Sequence, residues 1–274
     1  MYRYALALVL LPSLGACANF GATSEFALQT TRMTGLVRAE FAELDTLCTA
    51  QAELSIVLGD IADEGPLKSC QAFRSSQARL AAVTLDVLDD YSNVLTALAD
   101  ESAFELRIEP TAFQAQAAGV QDADGRALAS AGQVTALGRL IEVLAQIDSG
   151  RGREASVRRL VDESPSLAQS GRILRAFFVP DADAPAGQRV APYANRIGLT
   201  MDAMNSAERM LGRRAFREAE PIRTAELLRD LRARRTRLNE RSGAEPDKVP
   251  VAIASAIDAW LGALDSFSTE ALRP

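Results

Sequence analysis

Apolar residues recur along most of this chain at alternating steps of three and four, the spacing that places side chains on one face of an α-helix. Met33, Val37, Glu40, Leu44, Leu47, Gln51, Leu54 and Leu58 trace the first such seam. Ser24 suits an N-cap, with Glu25 in the first turn behind it. Glu40 and Gln51 interrupt the seam, so a strict coiled coil is not expected. Gly59-Asp60 and Asp63-Glu64-Gly65-Pro66 form a break, and Pro66 suits a first helical turn. The second seam is the strongest. Phe73, Leu80, Val87, Tyr91, Val94 and Leu98 lie on one stripe, widened by Leu85, Leu88 and Leu95. A stripe that broad predicts contact with more than one neighbouring helix.

Residues 101–125 are the least periodic. Phe104 to Ile108 alternates like a short strand, but no second strand is legible to pair with it. A loop with a helical turn near Ala112 to Ala118 is the expectation. Arg126 to Asp148 is predicted helical on Val134, Leu137, Ile141, Leu144 and Ile147. A short helix follows near Glu154 to Asp162. Ser164-Pro165 opens another that runs to Phe177-Phe178-Val179. Those residues beside Pro180 either plug one end of the bundle or, exposed, offer a partner a foothold. A long helix is predicted from about Pro192 toward Arg241, kinked or broken at Pro221. The last helix carries Ile253, Ile257, Trp260, Leu264 and Phe267, with Trp260 as its core anchor. The expected fold is all-α, an elongated antiparallel bundle of about six to eight helices forming one domain over residues 24–274.

Composition agrees with this picture. Of the 274 residues 48% are hydrophobic and only 5% aromatic, an Ala- and Leu-rich balance that favours packed helices over sheets. The net charge of −6 argues against a nucleic-acid partner. The chain has no histidine, which removes the commonest general base and the commonest transition-metal ligand. Ser-His-Asp and Cys-His catalysis are therefore excluded for the chain alone. No catalytic residue, metal or cofactor is expected.

The N-terminus follows a different grammar. Arg3 precedes an apolar run, Ala5 to Leu11, that is too short to span a bilayer, which takes about 20 apolar residues. Small residues follow, as in an export signal. Leu14-Gly15-Ala16-Cys17 resembles the lipobox of bacterial lipoproteins: Leu, two small residues, then Cys. The resemblance implies a signal peptide over residues 1–16, cleavage before Cys17, and a diacylglycerol on its sulfur, usually with an acyl chain on the new amino group. Two or more chains suit stable anchoring, since a single one binds only marginally. Residues 17–23 would then be a lipidated tether. The alternative is an ordinary secretory signal cut near Ala16 or Ala18, leaving a soluble periplasmic protein. Ala18 takes the place where an Asp favours inner-membrane retention in some lipoproteins, which leans toward the outer membrane.

With Cys17 lipidated, Cys48 and Cys70 remain, and two cysteines in an oxidising compartment suggest one disulfide. The pair also tests the first hairpin. Both lie eleven residues from Gly59. Helices running on to Ala62 and starting at Pro66 would put them about ten residues, roughly 15 Å, out of step. A disulfide thus requires an early turn or an irregular helix.

Two charged clusters complete the candidates. Between Glu208 and Arg241 stand eleven arginines and six acids. Successive positions point around the whole helix, so most of them form a solvated face with i,i+4 pairs involving Glu226 and Asp230. Arg229, Arg232 and Arg235 are the candidates for contact with an anionic partner. Asp86, Asp89 and Asp90 form an acidic triplet beside Tyr91, expected to be a solvated face. Asp122 to Gly125 resembles half of a calcium loop, but Val120 and Ala131 occupy ligand positions, which leaves a plain acidic turn. The functional expectation is a membrane-anchored, periplasm-facing lipoprotein with a non-enzymatic accessory or structural role toward an envelope partner. The alternative is a binding module for an apolar or cell-wall-derived ligand.

Overall fold

The computed structural model describes residues 18–57, 65–100, 129–147, 152–179, 192–213, 217–218, 221–241 and 248–273. Among them are eight helices and no strand. The first two are the longest. Helix α1 is Phe20–Val57. Helix α2 runs unbroken through Gly65–Phe73, a π-helical segment Arg74–Ala78, and Arg79–Asp100. Then come α3 (Ala131–Gln146), α4 (Arg153–Asp162) and α5 (Ser164–Phe178). The last three are α6 (Pro192–Leu211), α7 (Pro221–Arg241) and α8 (Lys248–Glu270). The protein is an all-α helical bundle, as its periodicity predicts. Phe104 to Ile108, the turn near Ala112 and the acidic turn at Asp122 lie outside the described residues.

Helix α1 is the spine. At 38 residues it spans about 57 Å, and α2, α6 and α8 all pack along it. Apolar residues occur nearly all round it, which suits a helix with partners on several sides. Met33, Val37, Glu40 and Leu44 of the predicted seam are all buried. The pairs Ala27–Ser92, Arg38–Asp86 and Asp45–Arg74 descend along one helix as they climb the other, so α1 and α2 are antiparallel. Asn19–Ala271 and Thr30–Trp260 make α1 and α8 antiparallel in the same way.

Two aromatic clusters fill the core. Phe26 meets Tyr91 edge-on and stacks on Trp260 and Phe267, with centroids 5.9 and 4.6 Å away. Phe41 gathers Phe73, Phe177 and Phe178. Phe177 and Phe178 are buried, so they fill the core and do not form an exposed pair. Among the described residues the buried side-chain polar atoms are bonded, as burial demands, with Thr224 Oγ1 the exception. Trp260 Nε1 donates to Thr30 Oγ1 at 2.9 Å. Ser92 Oγ donates to Ala27 O at 2.8 Å and lies 2.7 Å from Thr31 Oγ1. The fully buried Tyr91 hydroxyl donates to Leu160 O, and burial, then the Glu163 charge, raises its pKa well above the usual phenol range. Gly171 lets α5 approach α8 closely. A Cβ there would sit 2.7 Å from Trp260 Cζ3 and 2.9 Å from Leu261 Cδ2.

Three local expectations are corrected, and an alternative left open, an irregular helix in the first hairpin, is present. First, α1 starts at Phe20, ahead of the predicted cap at Ser24, because Asn19 caps it: Asn19 Oδ1 accepts from Ala22 N at 3.1 Å. Second, α3 starts at Ala131, five residues past the predicted Arg126. Ser130 and Gln133 form a capping box, the side chain of each accepting from the other's backbone amide. Third, the predicted long helix from Pro192 divides before Pro221 is reached. It ends at Leu211 with Gly212 N bonded to Glu208 O, and Pro221 opens α7 as its first residue. The irregularity lies in α2, which widens at Arg74–Ala78, where the Ser75 and Ser76 hydroxyls both donate to Ala72 O.

The cysteine pair joins the first hairpin. Cys48 and Cys70 are joined as a disulfide with Cα atoms 5.6 Å apart. The turn between the two helices, residues 58–64, lies outside the described residues, and the irregular helix that a disulfide allows is present at Arg74–Ala78. Across the same part of the hairpin, Arg74 binds both Asp45 and the Thr49 hydroxyl.

Candidate functional site

The two ends of the described chain meet at one end of the bundle. Residues 18–23 of the expected tether are packed: Ala18 is 9% exposed within the core, and Thr23 is fully buried. The Asn19 amide donates to Ala271 O at 2.8 Å, tying the start of α1 to the last turn of α8. Asn19 O in turn accepts from the Thr23 amide and hydroxyl. Beside this junction the Arg153 guanidinium lies 4.1 Å from the centre of the Phe20 ring. Its Nε donates to Leu98 O and its Nη2 to Ala99 O, at 2.7 and 2.6 Å. A cation on the last carbonyls of α2 satisfies orphan acceptors and complements the helix dipole. The start of α1, the end of α2, the start of α4 and the end of α8 therefore form one base. Packing, not chain polarity, orders residues 18–23, and composition alone did not reveal it.

A shallow groove runs between α1 and α8. It is lined by Gln29, Arg32, Met33, Leu36, Ala256, Ala259 and Trp260 and encloses about 260 Å³. Leu28 and Leu36 on this flank of α1 are 50% and 40% exposed. A second groove of about 200 Å³ lies at Gln146, Ile147, Ala155, Ser156 and Arg159. Neither holds a pair of carboxylates. Among the described residues no group of three or more His, Cys, Asp or Glu side chains is placed to hold a metal ion.

The acidic triplet is divided between two roles. Arg38 of α1 reaches Asp86 at 3.0 Å and Asp89 at 2.6 Å, closing α1 onto α2. For Arg38, burial works to lower the guanidinium pKa, and the bonds to Asp89 and Asp86 more than offset it. Asp90 stands apart, with its carboxyl held above the usual range by burial first and by the charges of Asp86 and Asp89 second.

The arginine-rich stretch is α7, which packs chiefly on α6. Among the residues of α7 whose burial is described, 221–236, Thr224 and Leu231 are buried. Of the three arginines singled out for an anionic partner, Arg232 and Arg235 both bind Glu208 of α6, at 3.3 and 2.6 Å. Arg229 is exposed. Arg234 pairs with Asp230 one turn away, an i,i+4 pair of the expected kind. The shared carboxylate could not be found from local spacing, because Glu208 lies on a different helix.

The chain matches no protein-family model, no curated protein and no solved structure. By length and composition alone, Val249–Glu270 is apolar enough to cross a membrane. In the bundle its apolar seam, Ile253, Ile257, Trp260, Leu264 and Phe267, is buried in the core. The residues it leaves exposed mix small ones, such as Ala252, Ala259 and Gly262, with Val251 and the acids Asp258, Asp265 and Glu270.

Proposed function

We propose that this chain is a lipid-anchored accessory protein of a bacterial envelope, non-enzymatic, presenting a rigid helical surface to an envelope partner. The observation that carries this is the Leu14-Gly15-Ala16-Cys17 site in the sequence, directly before Ala18, the first described residue, which is packed in the core. A small-residue cleavage site after a positive start and a short apolar run is the order an export signal takes. The disulfide between Cys48 and Cys70 suits an oxidising compartment. The non-enzymatic role is supported by the absence of histidine from the chain and by Arg38 occupying two of the three clustered carboxylates.

A module that holds an apolar or cell-wall-derived ligand between its helices has less behind it. The two grooves, about 260 and 200 Å³, are small beside the roughly 300–1,000 Å³ of ordinary ligand pockets. Outer-membrane placement rests on the lipobox resemblance alone. Ala18 fills a core position, so packing by itself explains a small apolar residue there.

The test is expression of the wild type and Cys17→Ala in an exporting bacterium with a radiolabelled fatty acid. The wild type should take up label, sediment with membranes, and yield an N-terminal peptide beginning at a diacylglyceryl-modified Cys17. The variant should be unlabelled and released. Equal membrane retention of both without label would overturn the anchor.

A further inference from the structure

We infer that the base of the bundle itself rests on the lipid surface, with no spacer between the anchor and the folded body. This deepens the anchored reading above and depends on it. The geometry begins with Ala18, which is 9% exposed in the core, and Asn19, whose amide is bonded to Ala271 O at 2.8 Å. A lipid on Cys17 is therefore one peptide step, about 3.8 Å between Cα atoms, from a residue that cannot move without unpacking the bundle. No slack exists to let the body drift from the bilayer.

The base is also broad. It gathers the start of α1, the end of α2, the start of α4 and the end of α8, locked by Arg153 across Phe20, Leu98 and Ala99. Its exposed side chains include Asn19, Asp100, Thr269, Glu270 and Arg273. Polar and charged groups of both signs suit the hydrated headgroup layer and oppose burial in hydrocarbon. The bundle thus stands on its end, and α1 carries its far residues away from the surface. The Cys48–Cys70 crosslink lies 28 residues up α1 from Phe20, about 42 Å along the helix axis. The partner of the base is a phospholipid headgroup surface, and any protein partner is met by the flanks or the far end.

The experiment uses the full-length lipidated protein in vesicles of phosphatidylethanolamine and phosphatidylglycerol. A photocrosslinking residue is placed at the base, Thr269→p-benzoylphenylalanine, or far up α1, Thr46→p-benzoylphenylalanine. Lipid adducts should form at position 269 at least tenfold more than at position 46. A Gly/Ser spacer of 20 residues between Cys17 and Ala18, with an average reach of about 25 Å, should remove most of the adduct at 269 while the lipid mass on Cys17 stays intact. Equal adducts at both positions, or adducts at 269 that ignore the spacer, overturn the end-on contact. A lipidated Cys17 with no adduct at 269 overturns this geometry and leaves the anchor standing. Loss of both the lipid mass and the adduct in the unspaced protein sinks the anchor and this inference together.

Discussion

Helices α7 and α8 are neighbours in the chain and nearly equal in length, 21 and 23 residues. They are held in different ways. Helix α8 buries Ile253, Ala254, Ile257, Trp260, Leu264 and Phe267 against α1 and α5. Helix α7 buries Leu231 and Thr224 among its described residues 221–236, and lies on α6 with Arg232 and Arg235 sharing Glu208. Burial of large apolar side chains contributes about 1.5–3 kcal/mol each. Ion pairs as exposed as these contribute about 0–1 kcal/mol. Helix α8 is thus part of the structural core, while α7 is an attached element and should open first in local unfolding. A helix that is polar around most of its circumference needs either many local pairs or a partner. Helix α7 shows pairs of both kinds, local (Asp230–Arg234) and to α6.

The strongest way to break this contrast is to attack the core side. Trp260→Ala should cost about 3–5 kcal/mol in urea unfolding, because it removes an aromatic that stacks on Phe26 and bonds Thr30. If the loss were below about 1 kcal/mol, α8 would not be core in the sense argued. Removing the disulfide with Cys48→Ala and Cys70→Ala together should lower stability by about 3 kcal/mol through the 22-residue closure. It should leave helix content unchanged by circular dichroism.

The attached side gives smaller and opposite signs. Thr224 Oγ1 is buried with no hydrogen-bond partner among the described residues. Thr224→Val keeps the shape and removes the unsatisfied group, so it should stabilise by up to about 1 kcal/mol. Glu208→Gln should cost less than about 1 kcal/mol globally. Its readout is hydrogen exchange: amides of α7 should exchange faster while those of α8 stay unchanged.

The smallest effect concerns titration. The Asp90 carboxyl is held above its usual value by burial, then by Asp86 and Asp89. The folded state therefore binds this proton more tightly than the unfolded chain does. Its contribution to stability is greatest below the ordinary carboxylate range and falls as pH rises through the raised folded value. Asp90→Asn should raise Tm slightly at pH 7 and not at pH 3. A fall at pH 7 would show that the ionised carboxylate has a favourable role.

What was legible beforehand followed from short-range periodicity. The seams at Met33 to Leu44, Phe73 to Leu98 and Ile253 to Phe267 are buried where three-four spacing puts them. The spacing of Cys48 and Cys70 about Gly59 also limited how the first hairpin could turn, since 1.5 Å per residue converts sequence offset into distance. The all-α bundle was determined at that level, because amphipathic helices must bury their stripes against one another.

The tertiary structure alone decided how distant residues use each other. Nothing local to Ala18 and Asn19 says they are packed and bonded to Ala271, more than two hundred residues away in the chain, so they read as a tether. Nothing near Asp86 and Asp89 names Arg38, and nothing in the arginine-rich stretch names Glu208 as the acceptor two of its members share. Periodicity reports which face of a helix is apolar. It carries no information on which side chain of another helix meets it, because that depends on crossing geometry and on the path of the whole chain.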